Sequence, residues 1–156
     1  MEQLMKLSEL NMVSEVELVY KNKVKASARP QIKAGKDSYH LLLRTWDVNK
    51  IEFVEQFKVI LMNKAHRVLG IYELSTGGVT GTVADPKLIF MAALKANACC
   101  IILSHNHPSG NLKPSRADED LTEKIKNAGR LLDINIIDHI IITNEGYFSF
   151  GDEGIL

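Results

Sequence analysis

The chain has 156 residues, 46% apolar and 24% charged, and its 19 basic and 19 acidic side chains leave a formal net charge of zero. That length suits one domain, able to bury about 68–70% of its unfolded surface, and the even charge balance gives no global electrostatic case for nucleic acid. No uncharged apolar run could span a bilayer, and the start Met1-Glu2-Gln3-Leu4-Met5-Lys6 lacks the pattern of a secretory signal, so the expected compartment is the cytoplasm.

Residues 1–13 show little periodicity and are expected to be a loose or docking N-terminus. Residues 14–20 alternate, with Val16, Leu18 and Tyr20 against Glu15, Glu17 and Val19, and predict a strand. A basic stretch follows, holding Lys21, Lys23, Lys25, Arg29, Lys33 and Lys36 with no acid before Asp37. It fits a solvated edge strand or loop, where lysines discourage pairing between sheet edges. The alternative is an arm for phosphates or an acidic partner. Residues 1–35 are accordingly set apart as an N-terminal extension from a main domain over 36–156.

A helix is expected from Asp37 or Ser38, with Tyr39, Leu42, Leu43 and Trp46 near helical spacing. Residues 57–62 predict an apolar strand, 63–66 a turn and 68–74 the return strand of a hairpin. Gly77, Gly78 and Gly81 mark a loop, and Asp85-Pro86 supplies an N-cap and an N1 proline. The helix they open, to about Asn97, carries Ile89, Ala93 and Ala96 on an inner stripe. Residues 98–103 predict a buried strand that takes Cys99 and Cys100 into the core, against any disulfide framework.

A polar loop then leads to a helix from Ser115 to about Leu132, with Leu121, Ile125, Ala128 and Leu132 as its buried face. Residues 135–143 are nearly continuous isoleucine, as in a strand buried on both faces, and 147–150 return after Asn144-Glu145-Gly146. A hairpin followed by helix, strand, helix and strand predicts an α/β domain, a mixed sheet with helices on its faces.

The chemistry gathers where the core strand ends, in Ser104-His105-Asn106-His107-Pro108-Ser109-Gly110. His105 and His107 leave an extended chain on one side, and Asp118 stands in the first turn of the next helix. Neutral imidazole is the commonest metal ligand, and a catalytic zinc centre keeps three protein ligands with the fourth position open. His105, His107 and Asp118 are therefore the expected ligands of one zinc ion per chain, although such a set also suits manganese, iron or cobalt. Ser115-x-x-Asp118 reads in addition as a capping box, a role compatible with metal binding. His40 and His66 are expected at the surface.

His-x-His-Pro, followed after six residues by Ser-x-x-Asp, resembles the JAMM motif of the JAB/MPN metalloprotease superfamily. Ser104 to Gly110 with Pro114-Ser115 and Asp118, and the later Asp138-His139 pair, resemble its RadC-like branch from about Phe57 onward. The resemblance implies a cytidine-deaminase-like fold for residues 36–156 and a zinc hydrolase that cleaves amide or isopeptide bonds of a peptide or protein. It also implies a glutamate upstream of the histidines as the proton acceptor for a zinc-activated water. Glu73, in Tyr72-Glu73-Leu74 at a strand end, is expected in that role ahead of Glu52 and Glu55. Ser115 is expected to donate to the developing oxyanion unless the helix cap holds its hydroxyl. Ser104, Asp138 and His139 are expected around the ligands, one of the last two orienting a ligand imidazole.

The same branch carries an association with DNA repair, so the competing reading is a repair or recombination protein acting on nucleic acid. The basic stretch is its only support in the residues, and the helix-hairpin-helix region of longer members is not expected here. A third reading, a module with a vestigial site, fits poorly with an intact ligand set.

Overall fold

The computed structural model describes residues 14, 16–17, 19–79 and 81–156. Among them are five strands: β1 (Gln56–Met62), β2 (Val68–Thr76), β3 (Cys100–Asn106), β4 (Asn135–Ile142) and β5 (Tyr147–Ser149). Three α-helices accompany them: α1 (Gly35–Thr45), α2 (Pro86–Lys95) and α3 (Arg116–Leu131). The strands form one sheet in the order β2-β1-β3-β4-β5. Only the β3–β4 pair is parallel, and α3 makes the crossover between them. The predicted mixed α/β sheet is the one observed.

Two apolar cores lie on the two faces, because the strands alternate their side chains. Phe57, Val59, Leu61, Ile101 and Leu103 face α2 and α3, where Ile89, Phe90, Ala93 and Ile125 meet them. Ile60, Met62, Ile102, Ile140 and Ile142 face the other way, against Leu42 and Trp46 of the α1 region. β1 and β3 are buried along their whole length. That is why their sequences read as nearly continuous apolar runs rather than alternating ones.

Helix starts follow their caps. Asp85 accepts from the Lys87 amide and Pro86 opens α2. α1 begins at Gly35, ahead of the expected Asp37, because Asp37 reaches back to accept from the Lys33 and Ala34 amides. A side chain at Gly35 would collide with Asp152 and Ser149. On α3 the fully buried residues are Thr122, Ile125 and Gly129, while Leu132 is exposed. The face is thus rotated from the expected one, and Gly129 is required because a Cβ there would strike the Ile134 carbonyl.

Other boundaries also differ. No strand forms at residues 14, 16–17 and 19–20; Glu15 and Leu18, like residues 1–13, lie outside the described residues. β3 starts at Cys100, leaving Cys99 exposed, and it runs on through His105 and Asn106. In the basic stretch Lys21, Lys23, Lys25, Lys33 and Lys36 are exposed. The segment runs beside the start of β2, where Gln31 bridges Arg67 and Pro30 accepts from the Val68 amide. No described helix is long and apolar enough to cross a membrane.

Candidate metal centre

β3 drives straight through the core and releases its polar end between α3 and the hairpin. His105 is 1% exposed and still paired, opposite Phe57 on β1 and Ile141 on β4. Its ring stacks on Phe57, centroids 6.0 Å apart. The chain then leaves the sheet at His107, and Gly110, at φ 81°, closes a turn back onto the His107 carbonyl. Glycine suits that left-handed position because it has no Cβ to clash. Ser115 caps α3 and Asp118 completes a capping box at N3, so the carboxylate is held where the helix dipole favours a negative charge.

These three residues meet. One donor atom from each of His105, His107 and Asp118 lies within 4.8 Å of the others. The two Nε2 atoms are 3.0 Å apart, His105 Nε2 is 3.2 Å from Asp118 Oδ1, and His107 Nε2 is 3.8 Å from Oδ2. Two imidazole nitrogens and one carboxylate converging from a rigid strand and a capped helix form the donor chemistry that zinc takes. Burial alone would raise the Asp118 carboxyl. The adjacent His105 ring, with two donors from Ser115, instead holds it well below the usual carboxylate range.

The partners behind the histidines are specific. His107 Nδ1 donates to the Asn111 carbonyl, which leaves Nε2 as its bare nitrogen. His105 Nδ1 is 2.8 Å from His139 Nε2, and His139 Nδ1 is 2.7 Å from Thr122 Oγ1. Burial, reinforced by the neighbouring His105, pushes the His139 ring well below its ordinary value. His139 therefore packs as a neutral ring, stacked on Phe150.

Several expected neighbours are elsewhere. Glu73 pairs with Lys58, which pairs with Ser104, so all three lie on the sheet face opposite Phe57 and His105. There Glu73 is exposed, with Lys58 Nζ 3.4 Å from Oε2 and Gln56 Nε2 donating to Oε1. Ser104 spends its hydroxyl on the Lys58 carbonyl. Asp138 lies on the side away from His139 and accepts from Ser149, Gly151 and the His139 amide. Ser115 donates its hydroxyl to Asp118 Oδ2 at 2.7 Å, so it holds the carboxylate rather than standing free for an oxyanion.

The carboxylate that faces the three residues is Glu55. Its backbone continues the β1–β2 ladder through Gly77 and Gly78, and it lies two residues before Phe57, hence on the face of His105. Burial raises its carboxyl, the neighbouring His105 and His107 oppose the rise, and Asp118 adds to it. Asn106 secures this segment: its Oδ1 accepts from the Gln56 amide, and its Nδ2 donates to the Ile51 and Val54 carbonyls. Thr122 and Asn106 had no role in the sequence reading. Thr122 was reachable, standing one helical turn after Asp118 and so on its face; Asn106 needed the tertiary structure.

A small polar cleft of about 170 Å3 opens beside His107, lined by Ile51, Glu52, Pro108, Ser109, Thr143 and Asn144. A larger apolar groove of about 730 Å3, between β2 and α2, touches none of His105, His107, Asp118 and Glu55.

The family model of the RadC-like JAB domain matches residues 32–155. A UPF0758 protein of Flavobacterium johnsoniae is 50% identical over 101 residues, which cover 65% of this chain and 44% of that protein. A UPF0758 protein of Porphyromonas gingivalis is 45% identical over 103 residues, 65% of this chain and 45% of that protein. One of Nitrosococcus oceani is 42% identical over 102 residues, 65% and 46% respectively. The chain thus spans less than half the length of the curated relatives it matches. With the paired histidines and the capped aspartate inside the matched span, this chain belongs to the RadC-like JAB domain family.

Proposed function

We propose that the chain is a zinc-dependent hydrolase of amide or isopeptide bonds, with His105, His107 and Asp118 as ligands of one zinc ion. The observation that carries this reading is the convergence of two Nε2 atoms and a carboxylate on one point, each held from behind by its own hydrogen bond. Three protein ligands leave room for a reacting group, as catalytic centres require. A mixed sheet with helices on both faces also supports a cytidine-deaminase-like assignment of the fold.

When bound, zinc supplies Lewis acidity, acidifying water toward neutrality and polarising a carbonyl. The remaining work falls to the chain. His105 and His107 present Nε2 because their Nδ1 atoms are committed, and Ser115 fixes the rotamer of Asp118. Glu55, not Glu73, is the proton acceptor: it shares the face of His105, and burial holds its carboxyl nearer to neutrality than an exposed one. It takes a proton from the attacking water and returns it to the leaving amine. The cleft beside His107 gives a substrate chain its approach.

The test pairs elemental analysis with hydrolysis of a peptide and isopeptide panel. About one zinc per chain in the wild type, absent from His107→Ala, together with zinc-dependent cleavage, is the expected result. A wild type that takes no zinc after addition and dialysis would end the reading. Action on nucleic acid is a separate proposal resting on the exposed lysines; a steep fall of DNA binding with salt, lost when they are neutralised, would support it.

A further inference from the structure

Behind the ligand pocket runs a chain of hydrogen bonds whose direction is forced at one end. Thr122 Oγ1 is 2.6 Å from the Asp118 carbonyl oxygen. A carbonyl has no proton to give, so the threonine hydroxyl donates there and spends its single hydrogen. The same oxygen is 2.7 Å from His139 Nδ1 and must therefore accept, which puts a proton on His139 Nδ1. His139 is fully buried, stacked on Phe150 and tilted against Phe57, with no carboxylate bonded to its ring nitrogens. An ionised ring is costly in such a place, so Nδ1–H is its one proton and Nε2 is bare. His105 Nδ1, 2.8 Å away, is consequently a donor.

We infer that Thr122 and His139 are positioning residues that set the tautomer of His105, a relay reading Asp118 C=O ← Thr122 Oγ–H ← His139 Nδ1–H ← His105 Nδ1–H. The relay begins and ends on the metal-site residues, so it deepens the metal reading and rests on it. With its Nδ1 proton pinned, His105 turns Nε2 toward Asp118 and His107. The opposite tautomer of His139 would present Nε2–H to His105, force the His105 proton onto Nε2 and close that ligand position. Thr122 serves at two levels, because its hydroxyl also ties the relay to the backbone of the turn that carries Asp118. Ligand orientation and ligand protonation are thereby set by the same buried groups. Partners behind metal-bound histidines act in this manner, fixing ring and proton together.

The test uses the whole chain labelled with 15N in histidine and reads imidazole nitrogen shifts before and after zinc addition, with zinc affinity measured by competition against a chelating dye. His139 is expected as the neutral Nδ1–H form in both states, and His105 as Nδ1–H with Nε2 shifted by zinc. Thr122→Val should weaken zinc binding by about 10–100-fold at unchanged circular dichroism, and Thr122→Ser, which restores the hydroxyl, should recover it. His139 found as the Nε2–H tautomer, or Thr122→Val matching the affinity of a wild type that binds zinc, would overturn the relay. The tautomer measurement needs no metal, so failure of the wild type to bind zinc would fall on the hydrolase reading alone.

Discussion

Lys58 and Glu73 pair across β1 and β2, Nζ 3.4 Å from Oε2, on the sheet face opposite His105. A bulge sets this arrangement. Phe57 pairs with Ser75 but Lys58 with Glu73, so Leu74 is the extra residue. Without that insertion Glu73 would share the face of Ser75 and Phe57, and therefore of His105. Glu73→Gln is accordingly expected to keep turnover within a few-fold of wild type. Glu55→Gln should lose about 10²–10⁴-fold, the usual contribution of a positioned acid or base, with zinc content unchanged. Comparing cleavage rates and metal stoichiometry in the two variants decides between the glutamates.

Asp118 holds the pocket to α3, so its charge and the Ser115 clasp can be separated. Asp118→Asn keeps an oxygen for the Ser115 amide but loses the charge, and should cost zinc affinity by well over tenfold. Ser115→Ala removes both the hydroxyl donated to Asp118 and the cap oxygen accepting from the Asp118 amide. That change should lower stability by about 1 kcal/mol, the typical worth of an N-cap, and weaken zinc less than Asp118→Asn does. Dye competition and thermal melts on both variants read the two effects; equal zinc loss in both would contradict the assignment of Asp118 as a ligand.

Asn106 stands between the two histidines yet faces away from them, holding the Ile51, Val54 and Gln56 backbone. Truncation to alanine strands three backbone groups, two buried and one part-buried. A loss of about 3 kcal/mol follows, or a melting temperature lower by roughly 6–12 °C for a chain of this size. The same segment carries Glu55, so Asn106→Ala should also depress turnover at saturating zinc. Calorimetry showing a shift under about 2 °C would mean the segment is held by other contacts.

Asp138 gives a pH signature unrelated to the metal. Burial raises its carboxyl above the ordinary value, against the lowering effect of bonds from Ser149, Gly151 and the His139 amide; the charge of Asp152 adds to the rise. A group raised on folding binds its proton more tightly in the native state. Its stabilising effect is therefore present at low pH and is lost as pH rises from the unfolded value, about 4, through the raised native one. Asp138→Asn keeps an acceptor for the two amides and cannot ionise, so this loss should vanish. Urea melts between pH 3.5 and 7 should show a flatter profile in the variant; parallel profiles would refute the assignment.

Much of the molecule was legible in one dimension because its causes are local. Asp85-Pro86 and Ser115-x-x-Asp118 announce helix starts through bonds closed within four residues. The apolar run before His105 marks a strand buried on both faces, and the His-x-His-Pro string carried a family resemblance that the match over residues 32–155 bears out. The two-residue spacing of His105 and His107 sends their rings to one side, where the turn after His107 holds the centroids 4.8 Å apart.

Which glutamate faces that pair depends on a bulge at Leu74 and on the register of β1 against β3, and neither is written in the spacing of residues. Strand parity flips with a single inserted residue, so Glu73 changes face while Glu55 keeps its own, without any change in local pattern. His139 and Thr122 reach His105 from β4 and α3 across separations of 34 and, through His139, 17 residues. The sequence by itself determined the donor set and the elements that carry it. Only the tertiary structure decided which side chains stand behind and opposite those donors, since such contacts are made by chain closure and not by neighbours.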